Sequence, residues 1–279
     1  MKLLICTQTV DKNDPVLGFF VRWIEEFKKH CEVEVISLKD LGSGGKIVRA
    51  WRLLRLAVRL EYDAVFVHMN PEYVIAAGWL WHLRGKKTAL WYAHGSSNLK
   101  LHVATFFANV VLTSTAEGFR LKSKKVRIIG QGIDTDFFLP KPSVTRGSWM
   151  LSVGRLMKSK RHDLAIRMAS EQGRTLLIAG EGPERKNLES LAKELGGTVH
   201  FLGALTQTQL RDEYLKAAYL IHTSETGSLD KVVLEALACG CPVKTNDPAL
   251  KHLEQAGTAY IREYHSLKNL IPAILKELL

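Results

Sequence analysis

The 279-residue sequence is poor in cysteine. None of its four, Cys6, Cys31, Cys239 and Cys241, falls in a Cys-x-x-Cys pair or beside a His-rich tract. That excludes a disulfide framework and argues against a zinc site, so buried free thiols are expected. Long apolar runs are also missing. The longest, Val74 to Leu83, is too short and too interrupted to cross a bilayer. The opening Met1-Lys2-Leu3-Leu4-Ile5-Cys6 enters an apolar strand at once, without the parts of a secretory signal. The expected location is therefore cytoplasmic, or peripheral at the inner face of the membrane. No internal repeat and no low-complexity segment is present, which excludes solenoid and disordered classes. Acidic residues are outnumbered 28 to 39 by Lys and Arg, a net charge of +11. Such a surface attracts polyanions: nucleotide diphosphates, anionic lipid or nucleic acid.

What is present is an α/β pattern, in a chain 46% hydrophobic and long enough to bury a core. Near-continuous apolar runs at Lys2–Cys6, Val33–Ser37, Asp63–Met69, Lys87–Tyr92, Asn109–Ser114 and Val126–Gly130 read as strands in the first half. Trp149–Val153, Thr175–Ala179, Thr198–Leu202, Tyr219–Thr223 and Pro242–Thr245 do so in the second. Runs apolar on both faces belong to parallel strands covered on both sides, and the helical stretches between them fit βαβ crossovers. Two prolines, a glycine and polar residues in Leu139–Ser148 have linker composition and place a domain boundary near residue 145. The expectation is thus a first domain over 1–145 and a second over 146–264, with a helix over 265–279 that packs back on the first.

Three segments carry candidate chemistry. In Ser152-Val153-Gly154-Arg155-Leu156-Met157-Lys158-Ser159-Lys160-Arg161-His162, a strand ends at a glycine turn and a helix begins near His162. Four cations crowd a loop before a helix N-terminus, at the strand end where parallel sheets bind ligands, so a phosphate is their natural counterion. The plainer reading is a solvated basic loop. In Ser224-Glu225-Thr226-Gly227-Ser228-Leu229-Asp230-Lys231-Val232-Val233-Leu234-Glu235, a polar loop leads into an apolar helix. Ser228 or Asp230 can cap that helix, and Gly240 suits its C′ position. Glu235 stands among Val, Leu and Ala. A carboxylate there needs a hydrogen-bonding partner such as a ribose diol, or else faces solvent near a helix start, where acids are favoured. The third segment, Leu176-Leu177-Ile178-Ala179-Gly180-Glu181-Gly182-Pro183, is half of a dinucleotide fingerprint and is weak by itself.

Together these segments resemble the retaining nucleotide-sugar glycosyltransferases of family 4, which have the GT-B fold. The carboxyl half carries the likeness through Val-Gly-Arg-Leu…Lys, Ile-Ala-Gly-Glu-Gly-Pro, Val-His-Phe-Leu-Gly and Leu-Glu-Ala-Leu-Ala-Cys-Gly-Cys-Pro-Val. In the amino half, Trp91-Tyr92-Ala93-His94-Gly95 and Ile129-Gly130-Gln131-Gly132-Ile133-Asp134-Thr135 are similar to the family's His-Gly turn and its Asn-Gly-Ile-Asp segment. The resemblance implies two Rossmann-like domains facing a central cleft. It implies that Arg155 and Lys160 bind the donor diphosphate, that Glu235 binds its ribose, and that His94 lies near the transferred sugar and acceptor. The loop around Gly18 would approach the donor phosphates. Gly154, Gly180, Thr226, Gly227, Ser228 and Leu229 complete the expected donor site. A UDP- or GDP-sugar is the implied donor, and a hydroxyl of a glycan or lipid-linked carrier the implied acceptor. No metal or other cofactor is implied, because protein cations stabilise the departing diphosphate. The sequence departs from the family at one place. The first of two glutamates usually spaced by seven residues is replaced by Gly227, and Glu225 lies two residues too early.

The stretch Lys46-Ile47-Val48-Arg49-Ala50-Trp51-Arg52-Leu53-Leu54-Arg55-Leu56-Ala57-Val58-Arg59-Leu60 reads as a basic amphipathic helix. Arg49, Arg52, Arg55 and Arg59 share one stripe, and Val48, Trp51, Leu54 and Val58 belong to the opposing apolar face. The plain reading packs that apolar face on the sheet and solvates the arginines. The sharper one docks the helix on anionic headgroups. Two other functions stay open: a nucleotide-sugar epimerase of the same fold, and a non-catalytic nucleotide- or anion-binding protein. Nucleic acid is not an expected partner, since the cations come without an aromatic platform or a known binding motif. His68, His82 and His222 are left without a functional role.

Overall fold

The computed structural model describes residues 1–95, 97–224 and 229–279. It divides into two compact units, residues 1–12, 17–132 and 267–279 in one and residues 13–16 and 133–266 in the other.

In the first unit, β1 (Lys2–Thr7), β2 (Glu32–Ser37), β3 (Ala64–His68), β4 (Lys87–Trp91), β5 (Val110–Thr113) and β6 (Val126–Ile128) form a parallel sheet. Their order is β2-β1-β3-β4-β5-β6. The alternation of side chains along β1 explains its two coats. Leu3 and Ile5 join a core with Phe20, Trp23 and Phe27 of α1 (Phe19–Lys28) and Ile274 of α10 (Leu267–Leu278). Leu4 and Cys6 join another with Leu53 of α2 (Lys46–Arg59), Trp81 of α3 (Pro71–Leu83) and Leu101 of α4 (Leu99–Phe107). Helix α10 forms because Leu267, Leu270, Ile271, Ile274, Leu275 and Leu278 repeat at helical spacing, and all six are buried. At about 1.5–3 kcal/mol for each buried aliphatic, that stripe is a large share of the unit's cohesion. His68 stacks on Phe20 at 3.9 Å inside the same core.

In the second unit, β7 (Met150–Val153), β8 (Leu176–Ala179), β9 (Val199–Gly203), β10 (Tyr219–His222) and β11 (Val243–Thr245) form a parallel sheet of order β11-β10-β7-β8-β9. Helices α5 (His162–Glu171) and α6 (Arg185–Glu194) share a core with Met150, Leu176, Ile178 and Ile221. Helices α7 (Gln207–Lys216), α8 (Lys231–Ala238) and α9 (Thr258–Tyr264) share the other with Leu151, Leu220 and Val243. Three of the four thiols, Cys6, Cys239 and Cys241, are buried and Cys31 is half-buried, all unbridged.

Two expectations change. The units divide at Gly132 and Ile133, not near residue 145. Residues 133–148 are bound into the second unit although their composition is that of a linker. Ile133 and Phe138 are buried in its core, and the Ile133 N–H donates to the His265 carbonyl at 2.7 Å. The Arg146 guanidinium donates to the carbonyls of Tyr214, Ala217 and Cys239 at 2.8, 3.0 and 3.1 Å.

The second change concerns α2, whose buried residues are Leu53 and Ala57. Of the face expected to pack on the sheet, Leu54 is half-buried, while Val48, Trp51 and Val58 are exposed. The cause is the turn before the helix. Arg52 donates to the carbonyls of Leu41 and Ser43 at 2.7 and 2.8 Å, and Arg49 to that of Gly42 at 3.3 Å. Those bonds fix the rotation of the helix and leave Arg55 and Arg59 in solvent beside the apolar side chains.

Replacing Arg146 by Ala strips three carbonyls of a charged donor. It should destabilise the second unit by about 2–3 kcal/mol, read as a lower urea midpoint. A change within about 0.5 kcal/mol, the range of ordinary surface substitutions, would contradict this account of the boundary.

Candidate functional site

The strands of the second sheet run parallel, so the loops after β7, β8 and β10 leave the same edge. The first two loops are built backbone on backbone. Gly154 has φ +154° and donates its N–H to Ala179 O at 3.0 Å. Gly180 has φ +147°, and a Cβ there would lie 1.9 Å from Gly154 O. A Cβ on Gly182 would lie 2.4 Å from Leu156 O. The Leu156 N–H donates to Glu181 O at 3.0 Å, and Leu156 O accepts from Glu184 N–H at 3.0 Å. Only residues without a Cβ permit this approach.

The exposed Arg155 leads from that turn into a short 3₁₀ turn over Lys158–Lys160. Arg161 follows in a left-handed conformation, φ 50° and ψ 39°, which is sparsely populated for a residue with a side chain. It opens α5, whose first residue, His162, is buried. His162 Nδ1 is 2.9 Å from Ser152 Oγ. Its Nε2 faces the Gly154 and Arg155 backbone but makes no hydrogen bond of ordinary geometry. Burial pushes this imidazole down to about 4, helped by the Lys160 charge, so it is neutral at pH 7.

Lys160 Nζ is 2.6 Å from Asp230 Oδ2, and the same oxygen is 2.9 Å from His222 Nε2. His222 Nδ1 lies 3.0 Å from Thr245 Oγ1. An ionised carboxylate only accepts, so Nε2 carries a proton and donates it to Asp230. Burial would raise the Asp230 carboxyl. The hydrogen bond from His222 and the Lys160 charge outweigh it and hold the group at about 2. Asp230 is the N-cap residue of α8 but makes no side-chain cap bond, so that alternative for the cap is corrected: its carboxylate binds Lys160 and His222, while Ser228, the other candidate, lies outside the described residues. Gly240, with φ +69°, does close the helix as expected, through bonds from Gly240 N–H to Leu237 O and Cys241 N–H to Ala236 O.

Glu235 is buried on α8 and accepts from the Tyr214 hydroxyl at 3.2 Å, so it does not face solvent. Lys231, one turn before it, is half-buried. Burial brings its ammonium down to about 7 against the opposing pull of Glu235 and Asp230. Groups shifted this far gather at sites that bind or react.

Of the residues singled out in the sequence, the structure joins Gly154 to Gly180 through their backbones. It ties Lys160 to the first turn of the helix that carries Glu235. Leu229 is buried just before that helix. Thr226, Gly227 and Ser228, with Glu225, lie outside the described residues. In the other unit, His94 is exposed three residues beyond β4, its ring 6.4 Å from that of Tyr92. Gly18 sits at the start of α1 with ordinary right-handed backbone, φ −55°. No part in a site was expected of Asp230 beyond a helix cap, nor of His222, Thr245, Lys231, Tyr214 and His162. The pairing of His222 with Thr245 across β10 and β11 is a signal the strand pattern contained. Among the described residues, no group of three or more His, Cys, Asp or Glu side chains is arranged to hold a metal.

Residues 138–265 match the family described as glycosyl transferases group 1. The chain is 27% identical over 225 residues to a GDP-mannose-dependent alpha-mannosyltransferase of Mycobacterium tuberculosis, covering 77% of this chain and 55% of that protein. It is 29% identical over 226 residues to the N-acetylgalactosamine-N,N'-diacetylbacillosaminyl-diphospho-undecaprenol 4-alpha-N-acetylgalactosaminyltransferase of Campylobacter jejuni, covering 71% and 61%. The chain spans less than two thirds of the length of these relatives. Among solved structures it is similar to Anabaena HepE in complex with UDP, with a TM-score of 0.74 and 16% identity over 100% of this chain and 99% of that one. The fold is GT-B, and the likeness of residues 138–265 to the group 1 glycosyl transferases lies in the half of the chain where the motifs pointed to a glycosyltransferase.

Gly180→Ala should destabilise the second unit by about 3 kcal/mol or more, since it adds both a collision and a strained φ. Near-native urea unfolding would refute the close approach. His162 makes stability depend on pH. Its folded pKa lies below the unfolded value of 6.5, so its contribution is full above about 6.5 and is lost as pH falls towards about 4. Urea unfolding at stepped pH should show a loss on the order of 2–3 kcal/mol across that window, and His162→Gln should flatten it. Asp230, with its folded pKa held low, loses its own contribution below that, from about 4 towards about 2.

Proposed function

We propose that the chain is a retaining glycosyltransferase. It moves a sugar from a UDP- or GDP-linked donor to a hydroxyl of a glycan or lipid-linked acceptor, without a metal. The observation that carries this reading is Glu235. It is a buried carboxylate in the first turns of a helix whose leading residue, Asp230, holds Lys160 beside two glycine turns. Its carboxylate accepts from the Tyr214 hydroxyl, and the two oxygens of a carboxylate can each accept more than one hydrogen bond, as a diol requires. A ribose supplies that diol, and the pyrophosphate then falls towards the loop that bears Arg155, Lys158 and Lys160.

Each residue has a part in the reaction. As the glycosidic bond breaks, negative charge grows on the leaving diphosphate. Arg155 and the loop N–H groups stabilise it, and charge fixed in place before the reaction is what lowers a barrier. Lys160 enters the site already oriented, because the Asp230 carboxylate holds its ammonium at 2.6 Å. The cations take the part that a metal ion has in other transferases. His94 serves the transferred sugar and the acceptor, and Thr226 and Ser228 offer hydroxyls to the sugar in place of the family's first glutamate. The named activity of the Campylobacter relative on a diphospho-undecaprenol substrate supports a lipid-linked acceptor. Four unbridged thiols support a reducing, cytoplasmic compartment.

A thermal-shift panel of UDP, GDP, UDP-glucose and GDP-mannose should show stabilisation by at least one diphosphate. Arg155→Ala should weaken that ligand roughly tenfold or more, the loss of a charge-assisted contact. Glu235→Gln, which still accepts from Tyr214, should weaken the nucleotide but not inorganic pyrophosphate. Nucleotide release that depends on added acceptor supports the transferase. Release without acceptor marks an epimerase, and binding without turnover marks a degenerate binder. An unmoved melting temperature across the panel would sink the assignment.

A further inference from the structure

Helices α2, α3 and α4 cover one face of the first sheet, packed side by side on a shared core. Their outer side is unusual. Ile47, Trp51 and Val58 of α2 are 76%, 71% and 57% exposed, and Leu83 of α3 and Phe106 of α4 are 75% and 74% exposed. Trp79 of α3 is exposed as well. Isolated exposed apolar residues are ordinary, but a concentration of them on one layer is a docking surface. The charge on the same layer is mainly positive. Residues 46–107 hold nine Lys and Arg against three Asp and Glu, and α2 itself has no acid. Glu72 is engaged by Lys100 at 2.9 Å.

We propose that this layer docks on an anionic lipid surface, with α2 lying in the headgroup plane. Trp51, Ile47 and Val58 enter the boundary of the acyl chains, and Arg55 and Arg59 meet lipid phosphates. The argument is the coincidence of both features on one outer side. Arg55 and Arg59 stand among the exposed apolar side chains of α2, as in helices that bind membrane interfaces. Tryptophan favours that depth, and long arginine stems reach from it to phosphate. Arg52 and Arg49 are committed to the carbonyls of Leu41, Ser43 and Gly42, so they fix the helix that presents the surface. A second copy of the chain fits less well. A symmetric pairing of this face would bring Arg55 and Arg59 of both copies together with no carboxylate on α2 to neutralise them. Nucleic acid fits less well too: Trp51 could stack on a base, but the strongly exposed aliphatic side chains Ile47, Val58 and Leu83 around it gain from acyl chains and not from bases. No helix among the described residues is long and apolar enough to cross a membrane, so docking by a surface is the mode these helices allow.

The test is flotation of the full chain with vesicles of phosphatidylcholine alone and with vesicles in which part of it is replaced by phosphatidylglycerol. The anionic vesicles should carry the protein and the neutral ones should not, with binding weakened as salt is raised. Arg55→Gln together with Arg59→Gln should lower vesicle affinity by about fivefold for each charge removed. Trp51→Ser should lower it as well. All three side chains are exposed, so the variants should keep the native melting temperature and nucleotide response. Equal capture by both vesicle types, no capture, or native capture of the variants overturns the proposal. So does a Trp51→Ser variant that instead dissociates a dimer or loses binding to RNA. Vesicle binding requires no donor, so its failure beside an intact nucleotide shift removes the docking surface and leaves the transferase reading standing.

Discussion

A single carboxylate organises the carboxyl-terminal unit. Asp230 receives an ammonium from the loop after β7 and an imidazole from the end of β10, and it stands at the head of α8. Three separate pieces of chain thereby meet at one oxygen. Buried charges survive when they are paired and hydrogen-bonded, and Asp230 is both. The consequence reaches past the pair. Thr223, next after His222, donates its hydroxyl to the Lys160 carbonyl at 3.0 Å, so the basic loop is held from its backbone as well as its side chain.

Around that anchor, charge and its absence alternate over a few residues. His162 is kept neutral, Asp230 is kept ionised, and Lys231 is shifted towards neutrality at physiological pH. Burial acts on all three. What separates them is the partner: two cationic or proton-bearing neighbours for Asp230, against the Lys160 charge for His162, whose burial the nearby backbone does not offset. Groups whose environments drive them apart in this way cluster where proteins bind or react.

The strands and the glycine turns were legible in the sequence because their causes are local. A run such as Leu176-Leu177-Ile178-Ala179 has no other use than a buried strand, and Gly180 follows where its backbone must pass close to Gly154. Strand positions came within a residue or two for the same reason. The features that escaped have distant causes. Pro140, Pro142 and Gly147 read as a linker, but Arg146 finds its carbonyls 68 to 93 residues away. The rotation of α2 is set by Arg52 reaching back across the turn, which helical spacing does not encode. The Asp230 carboxylate looked like a helix cap because nothing nearby shows that Lys160 and His222 claim it.

The amino-terminal unit is discontinuous in sequence. Its core is closed by Leu270, Ile271 and Ile274 of α10, which follow more than a hundred residues of the other unit. During synthesis those side chains leave the ribosome after the whole of residues 133–266. Trp23 and Phe27 emerge earlier and wait without their packing partners, while residues 133–266 already have their whole sheet available. Domains tend to fold as units during synthesis. Here the vectorial order is reversed: the half translated first is the half completed last, and a nascent chain stalled before α10 would expose an aromatic cluster to chaperones.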